Sequence, residues 1–220
     1  MTGARRRRQR KHGSGRNHSL RLEIASSTSR GWWDPGDVPQ LKAAIDASLD
    51  HLRPWMPWAH QEPEPLPTKV ERLRRCRGEF DLDIRYPYGV FALGEAGVVG
   101  AATLDPRSGP GSLEIGYWVR ADQVRKGFGT EVAAALTRVA FEVNEVERVM
   151  IRCHPRNEPS AAIARKPGFV FEGILRKCVP AADGSYEDTM VWTLLRSEYD
   201  ASPARTYEVR AYGAAGERLL

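Results

Sequence analysis

Apolar positions recur along this chain with two periods, and the switches between them mark out the elements. Val38, Leu41, Ile45, Leu49 and Leu52 fall at steps of three and four, one face of a helix over 37–52. A second helix, with a basic outer face, is expected over 69–80. Strands are expected at 20–24, 88–93 and 98–104, the last two joined by a hairpin turn at Glu95-Ala96-Gly97. Another strand covers 113–120, and a long helix over 130–143 carries Val132, Leu136, Val139 and Val143 inward. Val149, Ile151 and Cys153 alternate with Met150, Arg152 and His154, the period of a half-buried strand. A short helix at 161–166 and a hairpin of 169–175 with 189–195, turning around Asp183-Gly184, complete the series. This order predicts an α/β (α+β) fold: one mixed, mostly antiparallel central sheet flanked by helices.

Charge separates the ends from the body. Seven of the 33 basic residues fall within residues 1–18, with no acid among them, so the remaining 202 carry 26 basic against 28 acidic side chains. The net charge of +5 therefore belongs to a basic tail, 1–18, which is rich in Gly, Ser and Asn and is expected to be disordered. Such a tail offers phosphate contacts to RNA or a ribosome, and nucleic acid is expected to be bound only there, if at all. A solvated extension is the simpler reading. The globular domain is placed at 19–200 and a C-terminal extension at 201–220. At 220 residues and 41% hydrophobic content the chain can bury one substantial core.

No apolar run reaches the roughly 18 residues of a membrane span. The charged start lacks the apolar stretch of a secretion signal, so a cytoplasmic location without a membrane partner is expected. Cys76, Cys153 and Cys178 are odd in number and unpaired in spacing, which predicts buried small apolar side chains rather than disulfides or a zinc site. His51, His60 and His154 lack ligand spacing, and no metal is expected.

The chemistry begins where the strand at 113–119 meets Arg125-Lys126-Gly127-Phe128-Gly129-Thr130 and a helix opens. Two glycines let backbone N–H groups approach a phosphate, and the first helical turn leaves its donors unpaired. The pattern is neither a P-loop nor a complete dinucleotide fingerprint, and alone it also fits an ordinary tight turn.

Further residues follow in order: Glu114-Ile115-Gly116-Tyr117-Trp118, Thr130-Glu131, Asn157-Glu158-Pro159-Ser160, Lys166-Pro167-Gly168-Phe169, Phe171-Glu172-Gly173, Gly184, Asp188 and Glu198-Tyr199. With Leu52-Arg53-Pro54-Trp55-Met56-Pro57-Trp58, this series resembles the GNAT acetyltransferases, in the branch of RimJ and RimL, over about residues 32–200. Three places depart from that pattern. Val124 opens the loop motif, Pro167 precedes Gly-Phe, and residues 26–30 intervene before Trp33-Asp34-Pro35-Gly36-Asp37.

The resemblance implies acetyl-CoA as co-substrate. The backbone from Arg125 through Lys126, Gly127, Phe128 and Gly129 to Thr130 would hold the pyrophosphate. A splayed strand pair would hold the pantetheine arm, with Asn157 bonding it, and an N–H near Trp118 or Val119 would polarise the thioester carbonyl. Ser160 would protonate the leaving thiolate. Glu114 and Glu172 are candidate bases; each also fits a hydrogen-bonded or surface carboxylate. Trp55 and Trp58 line an acceptor pocket or simply pack the proline-rich loop, and Tyr117 reads as core.

The implied acceptor is a protein N-terminal α-amine, such as that of a ribosomal protein, attacked directly in a ternary complex. A small amine is the alternative acceptor, and a non-catalytic CoA-sensing or RNA-associated module the alternative class. Monomer and homodimer both fit.

Overall fold

Asp34 and Asp37 set the start of the first helix. The Asp34 carboxylate accepts the Gly36 N–H at 2.7 Å, and Asp37 Oδ2 accepts the Asp34 N–H at 3.0 Å. That reciprocal cap, with Pro35 supplying a fixed φ, launches α1 (Val38–Asp46). In this computed structural model, which describes residues 21–24, 27–30, 33–92, 97–107, 109–213 and 216–220, the single helix expected over 37–52 is broken. Buried Ser48 interrupts it: its hydroxyl donates to the Ala44 carbonyl at 2.7 Å and accepts the Ala121 N–H at 3.0 Å. A short α2 (Leu49–Leu52) follows. Helix α3 (Leu66–Asp81) begins earlier than expected because Pro67 sits in its first turn, where a missing N–H costs nothing.

The strands are β1 (Arg21–Ile24), β2 (Ser27–Arg30), β3 (Tyr86–Ala92), β4 (Val98–Asp105), β5 (Ser112–Val119), β6 (Arg148–Cys153), β7 (Val170–Pro180), β8 (Tyr186–Leu195) and β9 (Val209–Tyr212). They form one sheet in the order β7-β8-β6-β5-β4-β3-β2-β1-β9. Every pairing is antiparallel except β5 with β6. The mixed, mostly antiparallel sheet is as expected. Residues 27–30, which interrupt the resemblance, are a strand in their own right. The tail at 1–18 and most of the expected turn at 95–97 lie outside the described residues.

Helix α4 (Phe128–Glu142) packs on one face of the sheet and is buried on most of its length, Val132, Leu136 and Val139 among the inward positions. Each fully buried apolar side chain of this kind contributes about 1.5–3 kcal/mol. Helices α1 and α3 cover the other face, with Leu41, Ile45 and Leu73 against Val98. Helix α5 (Glu158–Arg165) ends just ahead of Pro167. The turn made there has a use: the Pro167 carbonyl accepts the Ala204 N–H at 3.1 Å, and Gly168 lies so close to Pro203 that a Cβ would approach its ring at 2.9 Å. The stretch 201–220, set apart in the sequence as an extension, thus docks on the body and adds β9 to the sheet. Among the cysteines, Cys76 and Cys153 are buried, but Cys178 is exposed. It sits on β7, an edge strand with little packed over it, so the expectation of three buried cysteines is corrected for that one.

Candidate active site

The parallel ladder between β5 and β6 stops halfway. Its last pair is Ile115 with Ile151, although β5 continues to Val119 and β6 to Cys153. Beyond that point β5 stays paired with β4, and β6 with β8, so the two strands part. The Arg120 N–H donates to the Val99 carbonyl at 2.8 Å, towards β4. By the two-residue period of a strand, the N–H groups of Val119 and Tyr117 then face the opened side, and that of Trp118 does not.

The glycine loop stands at the top of this gap. Gly127 takes φ 96°, a left-handed conformation that suits glycine, and turns the chain into α4. Arg125 is left-handed too, at φ 64°. The helix ladder begins with Thr130 and Glu131, whose N–H groups both bond the Gly127 carbonyl, at 3.0 and 3.1 Å. Thr130 is therefore already occupied inside the helix, and the donors ahead of it, on Lys126 to Gly129, precede the ladder. Lys126 Nζ bonds Gln123 at 2.9 Å. Gly129 is a close-approach position: a Cβ there would meet Ile163 Cδ1 of α5 at 2.7 Å. Phe128 and Thr130 turn their side chains into buried surroundings, so only their backbone is offered to the loop. A pyrophosphate and an extended arm fit this geometry of free donors, dipole and parted strands.

A cavity of about 420 Å³ opens below, between the sheet and the α1–α3 layer. Trp55, Trp58, Trp118, Asn157 and Ser160 all line it. The sequence candidates from three distant segments are thus brought together. Trp58 lies against Trp118, with ring centroids 6.2 Å apart, and Trp55 against His154 at 5.8 Å. Asn157 caps α5, its Oδ1 accepting the Ser160 N–H at 3.1 Å. Ser160 Oγ is 2.9 Å from Tyr117 Oη, which also reaches the Ser160 carbonyl at 3.2 Å. Gly116 keeps the floor open: a Cβ would stand 2.8 Å from Thr103 Oγ1.

The two carboxylate candidates part company. Glu114 accepts Arg152 Nε at 2.9 Å and also its Nη2, and Arg152 reaches the cavity wall. Glu172 is not brought to the cavity. It accepts Arg148 Nη2 at 2.7 Å and the Thr193 hydroxyl, near the far end of β6 from the opening. Glu172 lies at a break in the β7–β8 register, between Phe171 and Gly173.

Tyr117 is the chief residue that the sequence reading passed over. The alternation of β5 turns it inward, as core would be, and its partner lies 43 positions away. Burial pushes its phenol well above the usual value, only partly offset by the Ser160 bond. Cys153 also lines the cavity, and burial raises its thiol likewise, so it stays protonated at neutral pH. His154 Nδ1 accepts the Arg156 N–H at 3.0 Å, which places the proton of the neutral ring on Nε2.

Residues 30–170 match the acetyltransferase (GNAT) domain family. The chain is 28% identical over 92 residues to the uncharacterized N-acetyltransferase YnaD of Bacillus subtilis, covering 42% of this chain and 54% of that protein. It is 28% identical over 81 residues to the ribosomal-protein-serine acetyltransferase of Escherichia coli, covering 37% of this chain and 45% of that one. The match thus spans about half the length of these curated relatives. Among solved structures, Mycobacterium smegmatis RimJ in complex with CoA-disulfide superposes with a TM-score of 0.73 at 24% identity, over 84% of this chain and 90% of that one. The parted strands, the glycine-capped helix and the match over most of the chain lead to one conclusion: the protein belongs to the GNAT acetyltransferase family.

Proposed function

We propose that the protein transfers an acetyl group from acetyl-CoA to the N-terminal α-amine of a protein, by direct attack in a ternary complex. Acetyl-CoA supplies the activated thioester carbonyl. The observation that carries the reading is the early end of the β5–β6 ladder, which turns the Val119 N–H towards a gap bordered by the Ser160–Tyr117 pair.

Each step falls to residues of this chain. The loop donors ahead of Thr130 and the α4 dipole bind the pyrophosphate, and the side-chain amide of Asn157 is a donor for the pantetheine arm. The Val119 N–H polarises the carbonyl oxygen. The amine nitrogen forms the new N–C bond as the C–S bond breaks. The Ser160 hydroxyl then protonates the departing thiolate and recovers a proton from Tyr117, which is reprotonated from water in exchange for the proton that the amine releases. An α-amine with a pKa of ~7.8 is roughly one-third neutral near pH 7.5, so its surplus proton can leave to water without a dedicated strong base. Glu114 acts through Arg152 as a positioning residue. No acyl-enzyme is needed when the amine attacks the thioester directly, and burial raises the Cys153 thiol, which disfavours it as a competing nucleophile.

A small-amine acceptor is the second reading, favoured by a cavity whose volume suits a small molecule. The test measures thiol release from acetyl-CoA with N-terminal peptides and with small amines, and identifies products by mass spectrometry. Acetyl found on peptide α-amines supports the first reading. Acetyl found only on small amines overturns it in favour of the second.

A further inference from the structure

One end of the cavity is walled by cations whose anionic partners stand behind them. Lys69, Arg72, Arg85, Arg107 and Arg152 all line it. Their partners are Glu62 for Lys69, Glu64 for Arg72, Glu79 for Arg85, Asp105 for Arg107 and Glu114 for Arg152. Of those five carboxylates only Glu62 reaches the wall. The Lys69–Glu62 pair is sealed, with side chains 1% and 3% exposed, and fixes that wall in place. The guanidiniums are open by contrast, from 30% exposed at Arg85 to 58% at Arg107.

A guanidinium carries five N–H donors in a rigid fork. Arg85 spends Nε on Glu79 at 2.6 Å, and Arg107 spends Nη2 on Asp105 at 3.0 Å. Arg152 spends Nε and Nη2 on the one Glu114 oxygen. Asp105 and Glu114 are direct partners across β4 and β5, so Arg107 and Arg152 gather at one place. The carboxylates behind the wall hold the forks in orientation and leave further donors open to a ligand, although Arg85 also bonds the Cys76 thiol. A cationic group entering there would be repelled and an apolar one would displace solvent without replacing its hydrogen bonds, whereas a carboxylate or phosphate accepts such donors in pairs.

We propose that the acceptor carries an anionic group close to its amine, seated on Arg85, Arg107 and Arg152, and that for a peptide this means an acidic residue directly after the first. The proposal rests on the acetyltransferase reading above and narrows its acceptor.

The test compares the amides Ser-Asp-Glu-Phe, Ser-Asn-Gln-Phe and Ser-Lys-Lys-Phe, together with phosphoethanolamine and ethanolamine. Acetyl transfer is read as kcat/KM, and binding is read separately by fluorescence of the cavity tryptophans. The acidic peptide is expected to exceed the neutral one by about tenfold and the basic one by more. Arg107→Gln is expected to narrow that ratio towards one, and Arg107→Lys to keep part of it. Equal use of acidic and neutral peptides together with equal use of phosphoethanolamine and ethanolamine, or a preference that survives both Arg107→Gln and Arg85→Gln, overturns the proposal and leaves the acetyltransferase reading standing. Anionic preference confined to the small amines keeps the anion seat and removes the peptide. An acidic preference in binding without any transfer would keep it and sink the acetyltransferase reading, while no preference in either readout removes the seat.

Discussion

Tyr117 Oη and Ser160 Oγ lie 2.9 Å apart, joining the parted strand β5 to the first turn of α5 across 43 positions of sequence. Only the fold makes this a pair. Ser160 can give up a proton and Tyr117 can replace it, and burial raises the Tyr117 phenol so that it rests protonated.

Ser160→Ala is therefore expected to lower kcat by about 100-fold, with acetyl-CoA affinity little changed. Tyr117→Phe should lower it by a similar or smaller factor. Because the two act as a unit, the double variant should fall well short of the product of the single effects. Steady-state kinetics on all four proteins measures this. Fully multiplicative losses would mean the two residues work independently.

Gly127→Ala places a Cβ on a left-handed residue at φ 96°, 3.3 Å from Glu131 Oε1. The conformational cost is about 1–2 kcal/mol. The loop should relax and weaken acetyl-CoA binding, in a calorimetric titration, by about tenfold or more. Unchanged affinity would remove the loop from the donor site.

Lys69→Met leaves Glu62 buried without its cation and should cost about 3–5 kcal/mol in a urea titration. Replacing both, as Lys69→Met with Glu62→Gln, should recover a large part of that loss. A single variant as stable as the parent would show that the pair is not held as described.

Alkaline pH should destabilise the fold through its buried phenols. Burial, with Asp83 adding to it, pushes Tyr86 up to about 12, and burial raises Tyr88 further still. In the unfolded chain these groups ionise near ~10. Their contribution is complete below that value and is lost as pH rises through it towards the folded value, because only the unfolded state releases the protons. Tyr86→Phe should flatten part of this decline when melting temperature is followed from about pH 9 to 12.

Glu172→Gln tests a carboxylate that the sequence singled out. It is tied to Arg148 and Thr193 away from the cavity, so turnover should stay within about threefold of the parent, the range left when no contact to the reaction is lost. A hundredfold loss would bring Glu172 back as a base.

Much of this architecture was legible in residue order. Alternation along 149–154 gave the right faces of β6, and the glycine loop marked where α4 begins, because both depend on local periods and on backbone freedom. The reach of Ser48 to Ala121 was not legible, nor the break it puts in the first helix, since a serine in an apolar pattern carries no sign of a partner 73 positions away. The cationic wall escaped for a similar reason. Arg107 and Arg152 are far apart in the sequence, and only the pairing of Asp105 with Glu114 draws them towards one cavity. Glu172 shows the converse: a carboxylate in a telling motif, at a break in strand register, is held by an arginine away from the cavity.

Strand β9 pairs with β1 over four residues, Arg21 with Tyr212 through Ile24 with Val209. The first described strand thus finds one of its two neighbours far along the chain, after every other strand of the sheet. During synthesis, β1 must wait with that edge bare until residues 209–212 leave the ribosome, when most contacts among the strands between them can already exist. The sheet ends at β9, and a chain stalled or clipped before residue 209 would present β1 as the bare edge instead, open to whatever strand came near.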